Sequence, residues 1–129
     1  MTLSELVSLL NLELLTPGVD TTREVHYAYV SDLLSAVLAS AHEGELWITV
    51  QRHVNIVAVA KVASLAGILL SGGVRPSTDV LAKAEQVGIP ILATEDSSFI
   101  AAGKLYCLLF PKGVRPGDIP AKGVSPEEG

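Results

Sequence analysis

Apolar residues are spaced as in an amphipathic helix in some stretches of the chain and as in a strand in others. Apolar residues three and four apart predict a helix over Thr2–Leu10, with Thr2 and Glu5 as a capping box. The same criterion predicts four more helices: from Ser31 or Asp32 to Ala41, then Asn55–Leu65, Ser77–Val87 and Ser98–Leu109. Short apolar runs predict five strands: Leu12–Leu15, Val25–Val30, Glu45–Val50, Gly67–Leu70 and Ile89–Ala93.

The order of these elements predicts the fold class. From Val25 onward strand and helix alternate strictly, which implies right-handed crossovers and a mostly parallel sheet. We therefore expect an α/β fold with three layers, α/β/α, around a sheet of about five strands. The early strand at Leu12 is expected at an edge, in either direction. In the second helix, the residues expected to face inward are Leu33, Leu34, Val37 and Leu38.

The stretch from Gly67 to Asp79 is the most informative part of the chain. It combines an apolar run, paired glycines, and the helix-start residues Pro76 and Ser77. This pattern predicts a concave turn beside a helix N-terminus, with Arg75 next to it. Such places receive anions or closely approaching backbone.

The C-terminal stretch differs from the rest in composition. Four of the seven prolines and four of the eleven glycines lie in residues 111–129, which have no apolar period. We expect one domain over residues 1–109 and an extended or disordered tail over 110–129.

Composition and charge limit the kinds of partner that this protein is expected to bind. The chain is 49% hydrophobic with 5% aromatic residues, and the nearly apolar, alanine-rich helix from Asn55 favours a homodimer. The net charge is −5 and no basic stripe occurs, which argues against nucleic acid as a partner.

The single cysteine, Cys107, is expected to be a small buried hydrophobe. With no visible signal peptide or membrane span, we expect a cytoplasmic protein.

Polar residues follow the predicted strands at the edge where parallel strands bind ligands. They form an anion-friendly rim of candidate ligand-binding residues: Asp32, Gln51, Arg52, His53, Asn55, Ser71, Gly72, Gly73, Arg75, Thr94 and Ser98. Simpler roles stay open for each of them. Ser71-Gly72-Gly73 also fits a tight turn, Asp32 and Ser77 fit helix caps, and the arginines fit solvated charges.

Motifs of catalysis are not found in the sequence. Gly103-Lys104 is followed by Leu105, and Ser98 stands where a phosphate-binding loop requires its first glycine. No metal-ligand spacing or nucleophile elbow occurs. We therefore predict no cofactor and no enzyme activity.

Several segments in order resemble the DRTGG domain over about Thr22 to Leu109. They are Tyr29–Ser35, Trp47–Gln51, His53–Ala60, Ala66–Gly73 and Gly88–Thr94. Ser71-Gly72-Gly73 stands at the Thr-Gly-Gly of the family's name, and Ser98-Phe99 resembles its Thr-Phe. The Asp-Arg pair is not present as such, and its place corresponds to Arg52-His53.

The resemblance implies a fold similar to the N-terminal domain of HPr kinase/phosphorylase. It also implies a regulatory or dimer-forming module without assigned catalytic residues, of the kind that accompanies CBS domains in some regulatory pyrophosphatases. We thus expect a non-catalytic regulatory homodimer that senses a small anionic ligand or a nucleotide. The alternative is a nucleotide- or phosphometabolite-binding signalling protein acting on a partner enzyme or kinase. A small enzyme using Asp32, His53 or Asp96 is the least favoured hypothesis.

Overall fold

A computed structural model describes residues 1–120, which form five helices around a five-stranded sheet. The helices are α1 (Leu3–Leu9), α2 (Leu34–Ser40), α3 (Asn55–Val62), α4 (Thr78–Val87) and α5 (Ser98–Leu109). The strands are β1 (Glu13–Leu14), β2 (Ala28–Val30), β3 (Leu46–Thr49), β4 (Gly67–Leu70) and β5 (Ile91–Ala93).

The strand order across the sheet is β1-β5-β4-β3-β2. Strands β2 to β5 are parallel, and β1 pairs antiparallel with β5, with Glu13 opposite Ala93. This confirms the predicted α/β class and the mostly parallel sheet of five strands. The early strand lies at an edge as expected, and the structure shows its direction to be antiparallel.

The sheet separates two apolar clusters, which confirms the three layers. Helices α2, α3 and α4 cover the face that carries Trp47, Ile68 and Leu70, whereas α1 and α5 cover the face that carries Ile48 and Leu69. Every residue of β3 and β4 is buried. A strand that is covered on both faces needs apolar side chains at every position, which explains the continuous apolar runs of the sequence.

The first helix begins as predicted. The Thr2 hydroxyl accepts a hydrogen bond from the Glu5 amide at 3.1 Å, and the Glu5 carboxylate accepts one from the Thr2 amide at 2.9 Å. This reciprocal capping box starts α1, whose Leu3 and Leu6 are fully buried.

The second helix differs from its prediction. It begins at Leu34 without a side-chain cap, so the expected cap at Ser31 or Asp32 is wrong. Val37 is buried, but Leu33 and Leu38 are 63% and 49% exposed instead of facing inward. The Ser31 hydroxyl accepts from the Leu33 amide, a local turn that ends before the helix starts.

Three further predictions are corrected. Helix α3 ends at Val62 rather than Leu65, because Ser64 adopts a left-handed conformation with φ of 55°. Strand β2 begins at Ala28 rather than Val25, whose amide donates to the Met1 carbonyl. Cys107 is exposed rather than buried, since the inward face of α5 is formed by Ala101 and Leu105.

The predicted tail is described as far as residue 120. Phe110 contacts the ring of Tyr27 edge-on with centroids 5.9 Å apart, and the Val114 amide donates to the Tyr106 hydroxyl at 3.2 Å. A 3₁₀ turn follows at Pro116–Asp118. The prediction for residues 121–129 lies outside the described residues.

Candidate functional site

The turn after β4 is fixed to the loop after β5. Gly72 and Gly73 have φ of 68° and 74°, a left-handed conformation that favours glycine. Their amides donate to the carbonyls of Asp96 and Thr94 at 2.7 and 3.0 Å. The buried Ser71 hydroxyl lies 2.6 Å from that of Ser98. These amides are therefore used within the protein, and the turn shapes the rim of the sheet.

Asp32 connects the loop after β2 to the end of β3. Its carboxylate accepts from the Thr49 hydroxyl at 2.8 Å and from the Val50 amide at 2.9 Å. The Gln51 side chain donates to the Asp32 carbonyl at 3.1 Å. Asp32 thus caps a strand end, a role that only the parallel pairing of β2 with β3 makes possible.

His53 precedes α3 and orders its first turn. Its Nδ1 atom accepts from the Asn55 amide at 3.2 Å, so the ring in this arrangement carries its hydrogen on Nε2. Among residues 1–120, the structure gives His53 no hydrogen bond to a carboxylate or a hydroxyl. Within these residues, His53 therefore does not form the base–nucleophile pair of covalent catalysis.

A groove of about 800 Å³ lies between the loop after β3 and the start of α4. Gln51, Arg52, His53 and Arg75 of the predicted residues line it. Its other lining residues were not among the predicted site residues; they are Val54, Pro76, Ser77, Asp79 and Val80. The other predicted residues, which do not line it, are Asp32, Asn55, Ser71, Gly72, Gly73, Thr94 and Ser98.

The groove carries an excess of positive charge. Arg52 and Arg75 face one carboxylate, that of Asp79, and Arg52 forms no ion pair among residues 1–120. The Ser77 side chain makes no capping bond at the N-terminus of α4. The positive end of the helix dipole and the Arg52 guanidinium therefore act on the same open space, and Arg75 lines it while paired with Glu13.

Arg75 also lines a second cavity of about 310 Å³, together with Glu13, Thr94, Asp96 and Lys104. It forms an ion pair with Glu13 of β1, and Lys104 pairs with Asp96 at 2.7 Å. The hydrogen bond from Arg75 lowers the pKa of Glu13, and the same bond raises the pKa of Arg75. Sequence reasoning missed Glu13, because only the antiparallel pairing of β1 with β5 brings it to this edge.

The described residues contain no group of three His, Cys, Asp or Glu side chains that could hold a metal ion. In the same part of the chain no helix is long and apolar enough to span a membrane.

The fold and this site define an α/β domain with a polar rim and an open groove at the carboxyl edge of its parallel strands. The chain belongs to the DRTGG domain family, whose model matches residues 5–107. This confirms the resemblance drawn from the segments around Ser71-Gly72-Gly73.

A solved structure shares this fold. It contains the CBS and DRTGG domains of the regulatory region of Clostridium perfringens pyrophosphatase, complexed with the activator diadenosine tetraphosphate. The TM-score is 0.59 at 20% identity, and the match covers 79% of this chain and 44% of that chain. No curated protein matches this chain in sequence.

Proposed function

We propose that this protein is a non-catalytic regulatory module that binds a small anionic ligand in the groove between the β3–α3 loop and the start of α4. The observation that carries the proposal is that Arg52 and Arg75 both line one open groove at the N-terminus of α4. Two guanidinium groups and a helix dipole favour a ligand bearing phosphate or carboxylate groups.

Among anions, a nucleotide is the preferred candidate. A volume near 800 Å³ is within the range of about 300–1,000 Å³ of small-molecule sites. The similar pyrophosphatase region has a nucleotide, diadenosine tetraphosphate, as its activator. Of the other predicted residues, Asp32 holds the β3–α3 loop through Val50 and Gln51, and Gly72 and Gly73 hold the turn that leads to Arg75.

We propose further that the module acts as a homodimer on a partner enzyme in the cytoplasm. Membership of the DRTGG family and the likeness to the regulatory region of an enzyme support this proposal. The sequence segments also support a fold shared with the N-terminal domain of HPr kinase/phosphorylase.

Calorimetric titration with diadenosine tetraphosphate, ATP and inorganic phosphate tests the ligand. We expect binding of at least one nucleotide, and an affinity about 10-fold or more lower in Arg52→Ala, since a charge-assisted hydrogen bond contributes about 1.5–3 kcal/mol. Lys83→Ala removes an exposed positive charge of α4 outside the groove and is the matched control.

Two results would contradict the ligand proposal. If none of the three probes binds at millimolar concentration, the anion site is wrong. If Arg52→Ala and Lys83→Ala bind equally well, the ligand lies elsewhere on the protein.

A further inference from the structure

Strand β2 forms an open edge of the sheet, since it has no neighbour on its outer side within residues 1–120. The Tyr27 carbonyl accepts from the Leu46 amide, and the Ser31 amide donates to the Ile48 carbonyl, both toward β3. Because parallel strands bond through alternate residues, Ala28 and Val30 direct their amides and carbonyls outward. The edge thus offers unpaired backbone donors and acceptors.

The two edges of the sheet are protected differently. At the opposite edge, β1 is two residues long, carries the charged Glu13 and is soon followed by Pro17, all of which discourage pairing with another chain. Strand β2 contains Ala28, Tyr29 and Val30, without a charge, a proline or a bulge. An edge of this composition pairs readily with another strand.

An apolar groove of about 170 Å³ runs beside this edge, between β2 and α5. Val30, Tyr106 and Phe110 are among its lining residues, and none of the residues that line it is charged. Val30 and Tyr106 are 50% and 48% exposed. The connection from β2 to α2 exposes one more apolar side chain, that of Leu33. Backbone and apolar side chains are therefore available together at one edge.

We infer that a second copy of this chain covers this edge, with the two β2 strands paired antiparallel about a two-fold axis. In the register that places Ala28 opposite Val30 of the second copy, the outward groups of both strands are paired. This inference rests on the homodimer of the proposed function and names its surface.

The two-fold symmetry of the pairing favours a second copy as the occupant, because the same outward groups of β2 act as donors and acceptors on both sides. Two molecules of net charge −5 repel each other, but the residues that line the groove beside β2 carry no charge, so the groove adds no close contact between like charges. A stable interface buries about 800 Å² on each partner, roughly a ninth of the 7105 Å² surface of this chain. An interface of this size involves about 20–30 residues on each side, so it has to include residues of the groove besides the three residues of β2.

Light scattering after size exclusion at micromolar concentration tests the surface. We expect a mass of twice 13.5 kDa for the full chain and a shift toward 13.5 kDa for Val30→Lys. Val62→Lys is the matched control, because Val62 is a 74% exposed valine on α3, the helix that the composition had favoured as an interface. It should leave the mass unchanged.

Two further variants address the backbone and the C-terminus. Ala28→Pro removes an amide that points away from β3 and has no partner strand within residues 1–120, so it should dissociate the dimer while the circular dichroism spectrum stays unchanged. A chain ending at Pro120 should remain a dimer, and its dissociation would assign the contact to residues 121–129 and overturn the inference.

The possible results distinguish a failure of the proposed dimer surface from a failure of the proposed function. A full chain that is monomeric overturns the homodimer and this surface together, whereas nucleotide binding is measured independently. A dimer that survives both Val30→Lys and Ala28→Pro overturns the surface alone. Dissociation by Val62→Lys but not by Val30→Lys would place the interface on α3.

Discussion

Gly72 and Gly73 show why single positions shape the rim of the sheet. Both have positive φ, and both amides donate to carbonyls of the loop after β5. A Cβ at Gly72 would contact only Val50 at 3.9 Å, and one at Gly73 would lie 3.2 Å from the carboxylate of Glu95, the end of a flexible side chain. Conformation rather than space is what requires glycine here.

We therefore expect Gly72→Ala and Gly73→Ala to lower the free energy of unfolding by similar amounts, about 1–2 kcal/mol each. Urea denaturation measures the change. Gly103→Ala is the control of opposite sign, because Gly103 lies inside α5 at negative φ and a Cβ there would enter open space, so alanine adds about 0.5–1 kcal/mol. Equal effects at Gly72 and Gly103 would contradict this explanation.

The candidate site could be predicted in part from residue types. Arg52, His53 and Arg75 follow predicted strands, and the shared edge of a parallel sheet brings them to one groove. Asp32 and Ser71 follow strands too, but their partners are Thr49 and Ser98. Whether a polar side chain faces open space or bonds to the protein depends on which strands lie beside its own. The sequence pattern does not show which strands are neighbours in the sheet.

At the scale of elements, the N-termini of the helices differ in whether a side chain caps them. Thr2 closes a capping box at α1, whereas the Ser77 side chain makes no capping bond at α4. Both residues fit the same sequence signal for an N-cap. The difference arises because a cap requires a side-chain rotamer as well as a residue type.

Thr2→Ala should lower the free energy of unfolding by about 1 kcal/mol, since the Glu5 amide loses its acceptor. Ser77→Ala should change it by no more than a few tenths of a kcal/mol. Thermal and urea unfolding of the two variants under the same conditions make the comparison. A larger loss in Ser77→Ala than in Thr2→Ala would show that the caps are assigned the wrong way round.

At the scale of the whole molecule, the Arg75–Glu13 ion pair connects the edge strand β1 to the turn that follows β4. The hydrogen bond from Arg75 holds the pKa of Glu13 below its usual value of 4.5. A carboxylate with a lower pKa in the folded state stabilises the protein above its unfolded pKa. This contribution is lost as the pH falls through the folded value.

Glu13→Gln should therefore destabilise the protein near pH 7, and the difference from the original chain should shrink as the pH falls below about 4.5. Urea midpoints at pH 7, 5, 4 and 3 follow the change. Glu43→Gln removes an exposed carboxylate that forms no ion pair within residues 1–120 and is the control. A destabilisation by Glu13→Gln that is as large at pH 3 as at pH 7 would contradict the linkage.

The sequence by itself determined the order and kind of the elements, the three layers and the family. It could do so because buried strands need continuous apolar runs, amphipathic helices need a period near 3.6, and the segments around Ser71-Gly72-Gly73 follow the family's order.

Only the tertiary structure decided the direction of β1, the partners of Asp32 and Glu13, and the open edge at β2. These features depend on contacts between residues that lie far apart along the chain, as Glu13 and Arg75 do. The local pattern of residues shows the periodicity of each element. Which side chains meet at a sheet edge depends on how the whole fold packs.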